Sequence, residues 1–201
     1  AVLDVNPFDE PNVQQAKDAT NVLLARHAAE GSLSVARVDS TAASGVSLTL
    51  TAAARTALGT RGAEALLSSV TNDDYVGILA YLGPDPALAQ ALTTFREGVR
   101  ARTGAATMVG FGPRYLHSTG QLHKGGANNG VFVLISTTPA ADLDIPGQRY
   151  TFGTLEFAQA LGDFNSLDAS QRRAIHLHLP APDPTALAAA LSLLLDHAST
   201  R

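Results

Sequence analysis

"YVGILAYLGPDPALAQALTTFREGVRARTGAATMVGF", residues 75–111, decides the fold class of this chain. It begins with an apolar run of strand length, Tyr75 to Leu82. Asp85–Pro86 then offers a capping carboxylate and a proline suited to the first turn of a helix. The helix is expected to run to about Arg102 and to stop at Gly104, a residue that tolerates the left-handed conformation of a helix end. "AATMVGF" follows as a second strand. A strand, a capped helix and another strand, each strand apolar throughout, is the signature of a parallel pair covered on both faces.

Working outward, the rhythm continues. "GVFVLIST" (130–137) reads as a further buried strand, "TLEFAQALGD" (154–163) as a helix ending near Gly162, and "RAIHLHL" (173–179) as a strand. Asp183–Pro184 opens a last helix to about Ala198. Upstream, Asp9 and Pro11 open a helix reaching Gly31, with Val13, Ala16, Leu23 and Leu24 as a loose apolar stripe. Alternation at Leu33/Val35 and at Val46/Leu48/Leu50 predicts two strands around a polar turn, and "RGAEALLSSV" (61–70) a short helix. The Ser/Thr/Ala-rich stretch at 39–45 is the best linker candidate. The expected fold is α/β, a mainly parallel sheet with helices on both faces in three layers.

Composition narrows the function classes. The chain has 201 residues, 45% of them hydrophobic, which is enough for a substantial core. Its net charge is −4 with 16% charged residues, so no basic face for nucleic acid is implied. It has no cysteine, which removes disulfides, thiolate metal sites and a cysteine nucleophile together. The apolar run around "FVLIS" is too short to span a bilayer, and the first residues lack the pattern of a signal peptide. A cytoplasmic protein with no membrane segment is expected. The start on "AVLDVNPFDE", without Met, reads like a piece of something longer.

The densest chemistry lies at "FGPRYLHSTGQLHKGGANNG" (111–130), which leaves one strand end and enters a helix. Arg114, His117, Ser118, Thr119, Gln121 and Lys124 form a candidate anion or phosphate pocket, with glycines that allow close backbone approach. Plainer readings stand beside it. Arg114 can pair with an internal carboxylate, Lys124 can mark a helix end, and Asn128–Asn129–Gly130 can be a turn. His117 and His123 are six residues apart, which fits no common ligand pair, and no metal or cofactor is expected. His176 and His178 share one face of a strand and read as satisfied or surface histidines.

The opening "NPFDEPNVQQAK" resembles the carboxyl-terminal signature of glucose-6-phosphate isomerases, Phe-Asp-Gln, any residue, Gly-Val-Glu, two residues, Lys. Phe8, Asp9, Val13 and Lys17 match it. Glu10 stands at the glutamine, Asn12 at the glycine and Gln14 at the glutamate. "GFGPRYLHSTGQLHKGG", "YTFGTLEFAQALGD" and "RRAIHLHL" together are similar to the carboxyl-terminal region of bifunctional transaldolase/glucose-6-phosphate isomerase fusions. The likeness covers most of residues 1–20 and 75–180, and "GPRYLHSTG" is also similar to the family's Gly-Gly-Arg-Tyr-Ser motif.

This resemblance implies a sugar-isomerase-like sandwich and a division into residues 1–30, the last helix of an isomerase domain, and 31–201, an additional domain. It implies Lys17 and Glu10 as catalytic candidates, a substrate of the glucose 6-phosphate/fructose 6-phosphate type, and upstream isomerase and transaldolase domains as partners. The family's glutamate base and ring-opening histidine lie upstream of this segment, so the chain alone is expected to lack a complete site. Two other readings stay open: a non-catalytic sugar-phosphate-binding domain, and a scaffold between domains.

Overall fold

The structure is a computed structural model that describes residues 11–33 and 37–198. Six strands form one sheet in the order β1-β2-β6-β5-β3-β4. They are β1 (Ser40–Thr41), β2 (Ser47–Leu50), β3 (Tyr75–Tyr81), β4 (Ala106–Phe111), β5 (Gly130–Thr137) and β6 (Arg173–Leu179). β4, β3, β5 and β6 run parallel, while β2 pairs antiparallel with β6 and β1 with β2. Among the described residues six α-helices accompany them: α1 (Pro11–Glu30), α2 (Ala52–Leu58), α3 (Pro86–Thr103), α4 (Gly120–Gly125), α5 (Phe152–Ala169) and α6 (Pro184–Asp196). This is the expected three-layer α/β sandwich, mixed at one edge.

Period-two alternation divides the strands between two cores. Val76, Ile78 and Ala80 of β3, Val131, Val133 and Ile135 of β5, and Ile175, Leu177 and Leu179 of β6 share one face. Leu88, Leu92, Phe95 and Val99 of α3 and Leu187, Leu191 and Leu194 of α6 cover it, with α2 beside them. The opposite face carries Leu79, Tyr81, Phe132, Leu134 and Ala174 under Tyr115 and the α5 residues Ala160, Phe164 and Leu167. Each fully buried side chain of this kind contributes on the order of 1.5–3 kcal/mol. Two-sided burial is why the strands read as continuous apolar runs.

The helix signals act as expected at Asp85 and Asp183, and Thr151 caps a third start that the sequence reading did not name. Asp85 Oδ1 accepts from the Ala87 and Leu88 amides, Asp183 Oδ1 from those of Thr185 and Ala186, and Thr151 Oγ1 from that of Thr154. Gly104 takes the left-handed conformation (φ 69°) that ends α3. Helix α3 covers one face and α4 and α5 the other, so the winding reverses between β3 and β5. In such sheets ligands sit beyond the carboxyl strand ends near that reversal.

Four expectations are corrected. The first strand of the hairpin is Ser40–Thr41, so the linker candidate at 39–45 is the hairpin and its turn; Leu33 lies in no strand, and Val35 lies outside the described residues. Asp39 fixes it: its carboxylate accepts from the Leu50 amide and pairs with Arg55. Residues 63–69 form a 3-10 helix rather than an α-helix. The last helix stops at Asp196 rather than near Ala198. Finally, α5 does not end near Gly162 but continues to Ala169.

Gly162 instead marks where α1 crosses α5. A Cβ there would lie 2.6 Å from Thr20 Oγ1 and 3.0 Å from the Thr20 amide. The missing side chain lets Ala16 and Thr20, both buried, approach the α5 backbone. Helix α1 therefore packs directly on the layer formed by α5 and α4.

This crossing gives a test with a definite sign. In an open helix, Gly→Ala gains about 1 kcal/mol from propensity. Gly162→Ala is expected instead to destabilise by about 1–3 kcal/mol, because the methyl group overpacks the crossing. Urea denaturation reads the difference, and a stabilised variant would show that α1 does not lie there.

Candidate functional site

The 111–130 stretch folds as a turn, a 3-10 helix (Arg114–His117) and the short α4. Its first turn lies on the Tyr81 ring: a Cβ at Gly112 would sit 2.5 Å from that ring. Thus only glycine allows β4 to end so close to the neighbouring strand. The Ser118 and Thr119 amides and hydroxyls all donate to the Tyr115 carbonyl. These donors close the turn, so the open amides and hydroxyls expected for an anion are already engaged.

Lys124 is the clearest correction. It is 3% exposed and its ammonium pairs with Asp163, which is wholly buried in α5. The Tyr81 hydroxyl donates to the other Asp163 oxygen at 3.3 Å. Burial pushes the Asp163 carboxyl up and the Lys124 ammonium down. Moving Lys124 to a ligand would strand an unpaired carboxylate in the core, a cost of several kcal/mol. Arg172 secures the same corner by donating to the Lys124 and Gly126 carbonyls. Lys124 is therefore part of the core and not of an anion pocket.

The remaining candidates divide. Lys17 and His117, both exposed, converge on one cavity of about 290 Å³. Helix α1 supplies Lys17 and Asn21, the 3-10 helix supplies His117, and Tyr150 and Gln159 close it from the α5 side. Arg114 and Ser118 are exposed, Thr119 and Gln121 are half-buried, and none of the four lines this cavity. Glu10 lies outside the described residues. Sequence reading missed Asn21, Tyr150 and Gln159, because nothing local links three scattered polar residues to one wall.

The chemistry of this cavity follows from its lining. A lysine, an imidazole, a phenol and two amides offer hydrogen-bond donors and one fixed positive charge, suited to a hydroxylated anion. None of the described lining residues is acidic. The cavity can therefore bind and donate protons, but its described lining offers no carboxylate to carry a proton between carbons.

A second polar cluster sits at the carboxyl ends of β5 and β6. Ser136 Oγ lies 2.7 Å from His176 Nε2 and 2.9 Å from His178 Nδ1. His176 is 1% exposed and His178 half-buried, and both bond Ser136, which is the satisfied rather than the surface reading. Among the described residues no cluster of three or more His, Asp or Glu could hold a metal ion. No described helix is long and apolar enough to cross a membrane.

No family model and no curated protein matches the chain. Among solved structures it is similar to the crystal structure of a hypothetical protein, TT0462, from Thermus thermophilus, with a TM-score of 0.56 and 20% identity. The match covers 73% of this chain and 42% of that one, so the chain corresponds to less than half of that protein's length. At this identity the likeness shows the fold.

The buried polar groups can be probed by mutation and by acid. Lys124→Met alone is expected to cost about 3–5 kcal/mol, while Lys124→Met with Asp163→Leu is expected to recover most of it. Comparing the single and double variants in urea checks the pairing. Acid is the second probe. Burial, chiefly, lowers His123 from 6.5 to about 4 and His176 from 6.5 to about 3. Below about pH 6.5 the unfolded chain then binds more protons than the folded one. Stability is thus full above that pH and falls on acidification, by about 2 kcal/mol per imidazole near pH 5. Replacing His176 by Phe should flatten this dependence.

Proposed function

We propose that this chain supplies the carboxyl-terminal part of a sugar-phosphate aldose–ketose isomerase of the glucose-6-phosphate isomerase type. The observation that carries the reading is the convergence of Lys17 and His117 on one cavity. These residues come from two separate stretches that resemble that family, and the fold brings them to a common wall. In this reading the substrate is glucose 6-phosphate or fructose 6-phosphate, and the setting is cytoplasmic.

Each residue has a definite task. Lys17 donates to the ring oxygen as the sugar opens, and its charge offsets the anion developing on the open chain. His117 supplies an imidazole in the same cavity. Tyr150, Asn21 and Gln159 orient sugar hydroxyls. No described lining residue is acidic, so this reading draws the proton carrier between C1 and C2 from an upstream segment or domain, or from Glu10, which stands at the glutamine of the family signature. The same observation favours a second reading, a domain that binds the sugar phosphate without converting it.

A coupled assay for fructose 6-phosphate conversion, run beside direct binding, tests the proposal. The chain alone is expected to bind fructose 6-phosphate without turnover. Lys17→Ala and His117→Ala should each weaken binding by about tenfold, equivalent to about 1.4 kcal/mol. Arg114→Ala should leave binding nearly unchanged. Equal affinity in the wild type and both cavity variants would remove the proposal. In a longer protein that includes the upstream domains, loss of turnover on Lys17→Ala would favour the isomerase reading over simple binding.

A further inference from the structure

A separate cavity of about 450 Å³ opens beyond the carboxyl ends of β5 and β6, on the face covered by α5 and α1. Ligand sites in doubly wound sheets lie at such strand ends, and the volume falls within the usual range for small-molecule pockets. Its walls include His27, Ser47, Thr138, Asp142, Phe157 and His178. None of these belongs to the Lys17 cavity.

The hydrogen bonds at its edge have a direction. His176 Nδ1 is buried without a partner. An orphaned N–H is rarer than an orphaned acceptor, which places the His176 proton on Nε2. His176 then donates to Ser136 Oγ, and Ser136 donates to His178 Nδ1. His178 carries its own proton on Nε2 and donates to Thr138 Oγ1, 3.2 Å away. The chain leaves the Thr138 hydroxyl proton for a group in the cavity. Burial lowers both histidines, in keeping with neutral rings.

The charge of the wall selects against anions. Asp142 accepts from the Leu143 and Gly153 amides and from the Thr151 hydroxyl, which hold it ionised. No lysine or arginine lines the cavity among the described residues. A phosphate would meet a carboxylate with no cation to offset it. His27 stands in the same wall, an imidazole able to exchange hydrogen bonds with a ligand's hydroxyls. The Phe157 ring, tilted 39° against His178 with ring centroids 4.7 Å apart, presents an apolar surface beside these groups.

We infer that this cavity is a second small-molecule site that takes an uncharged polyhydroxylated ring, an unphosphorylated sugar. An oxygen of the ring accepts from Thr138, its hydroxyls meet His27, and its C–H face lies on Phe157. The site does not depend on the sugar-phosphate reading of the Lys17 cavity.

The test follows imidazole nitrogen resonances by NMR while D-glucose, D-fructose or D-ribose is added, with glucose 6-phosphate in parallel. At least one neutral sugar is expected to shift His178 saturably, and glucose 6-phosphate to act there at least about tenfold more weakly. Thr138→Val and Phe157→Leu, each first shown to be folded, should weaken the neutral sugar by about tenfold. Three outcomes overturn the inference: no saturable shift at His178, equal or tighter binding of the phosphate there, or unchanged affinity in both variants. His117 reports the Lys17 cavity in the same spectra, so failure at one site is distinguishable from failure at the other.

Discussion

The strands β3, β5 and β6 have no solvent-facing side, so both faces of the parallel core must be covered by helices. One cover, α3 with α6, is almost entirely apolar toward the sheet. The other, formed by α5 with α4 and α1, is not. It carries the Lys124–Asp163 pair, the Tyr81 hydroxyl and His123 with its partner Tyr75. The asymmetry follows the winding, because the connections that cross this second face bring the chain's least ordinary segment, 111–130, onto the sheet.

That polar layer explains why the candidate groups separate as they do. A buried charge is tolerated only when it is paired, so Lys124 is held by Asp163 and cannot serve a ligand. Freed from that duty, the surface above the layer belongs to α1 and the 3-10 helix, where Lys17 and His117 remain exposed. The Gly162 crossing sets how closely α1 approaches, and so sets the floor of that cavity through Ala16 and Thr20. The two cavities lie at different places along α1, one beside Lys17 and the other beside His27. They also differ in charge, one lined by a lysine and the other by a carboxylate. One protein layer thus offers two chemically distinct recesses.

Much of the fold was legible in the sequence, since strand alternation and helix caps act between near neighbours. Tyr75–Tyr81 reads as a buried strand from its own composition, and Asp85–Pro86 announces α3 without reference to anything distant. The site was less legible. Lys17 and His117 were singled out, but nothing local states that they face one cavity, and Arg114 in the same segment does not. Gly162 shows the limit most sharply. Its local signal is a helix end, yet helix α5 continues through it, and the glycine serves the close approach of α1.

By itself the sequence determined the alternation of strand and helix, the two-sided burial of the parallel strands and the capped helix starts. These follow from backbone geometry and from periodicities of two and 3.6 residues, which any stretch carries within itself. Only the tertiary structure decided that Lys124 is a core residue, that Ser136 joins two histidines, and that α1 meets α5 at a glycine. Each of those depends on a partner far along the chain. Burial and pairing are properties of two segments brought together, and neither segment encodes them alone.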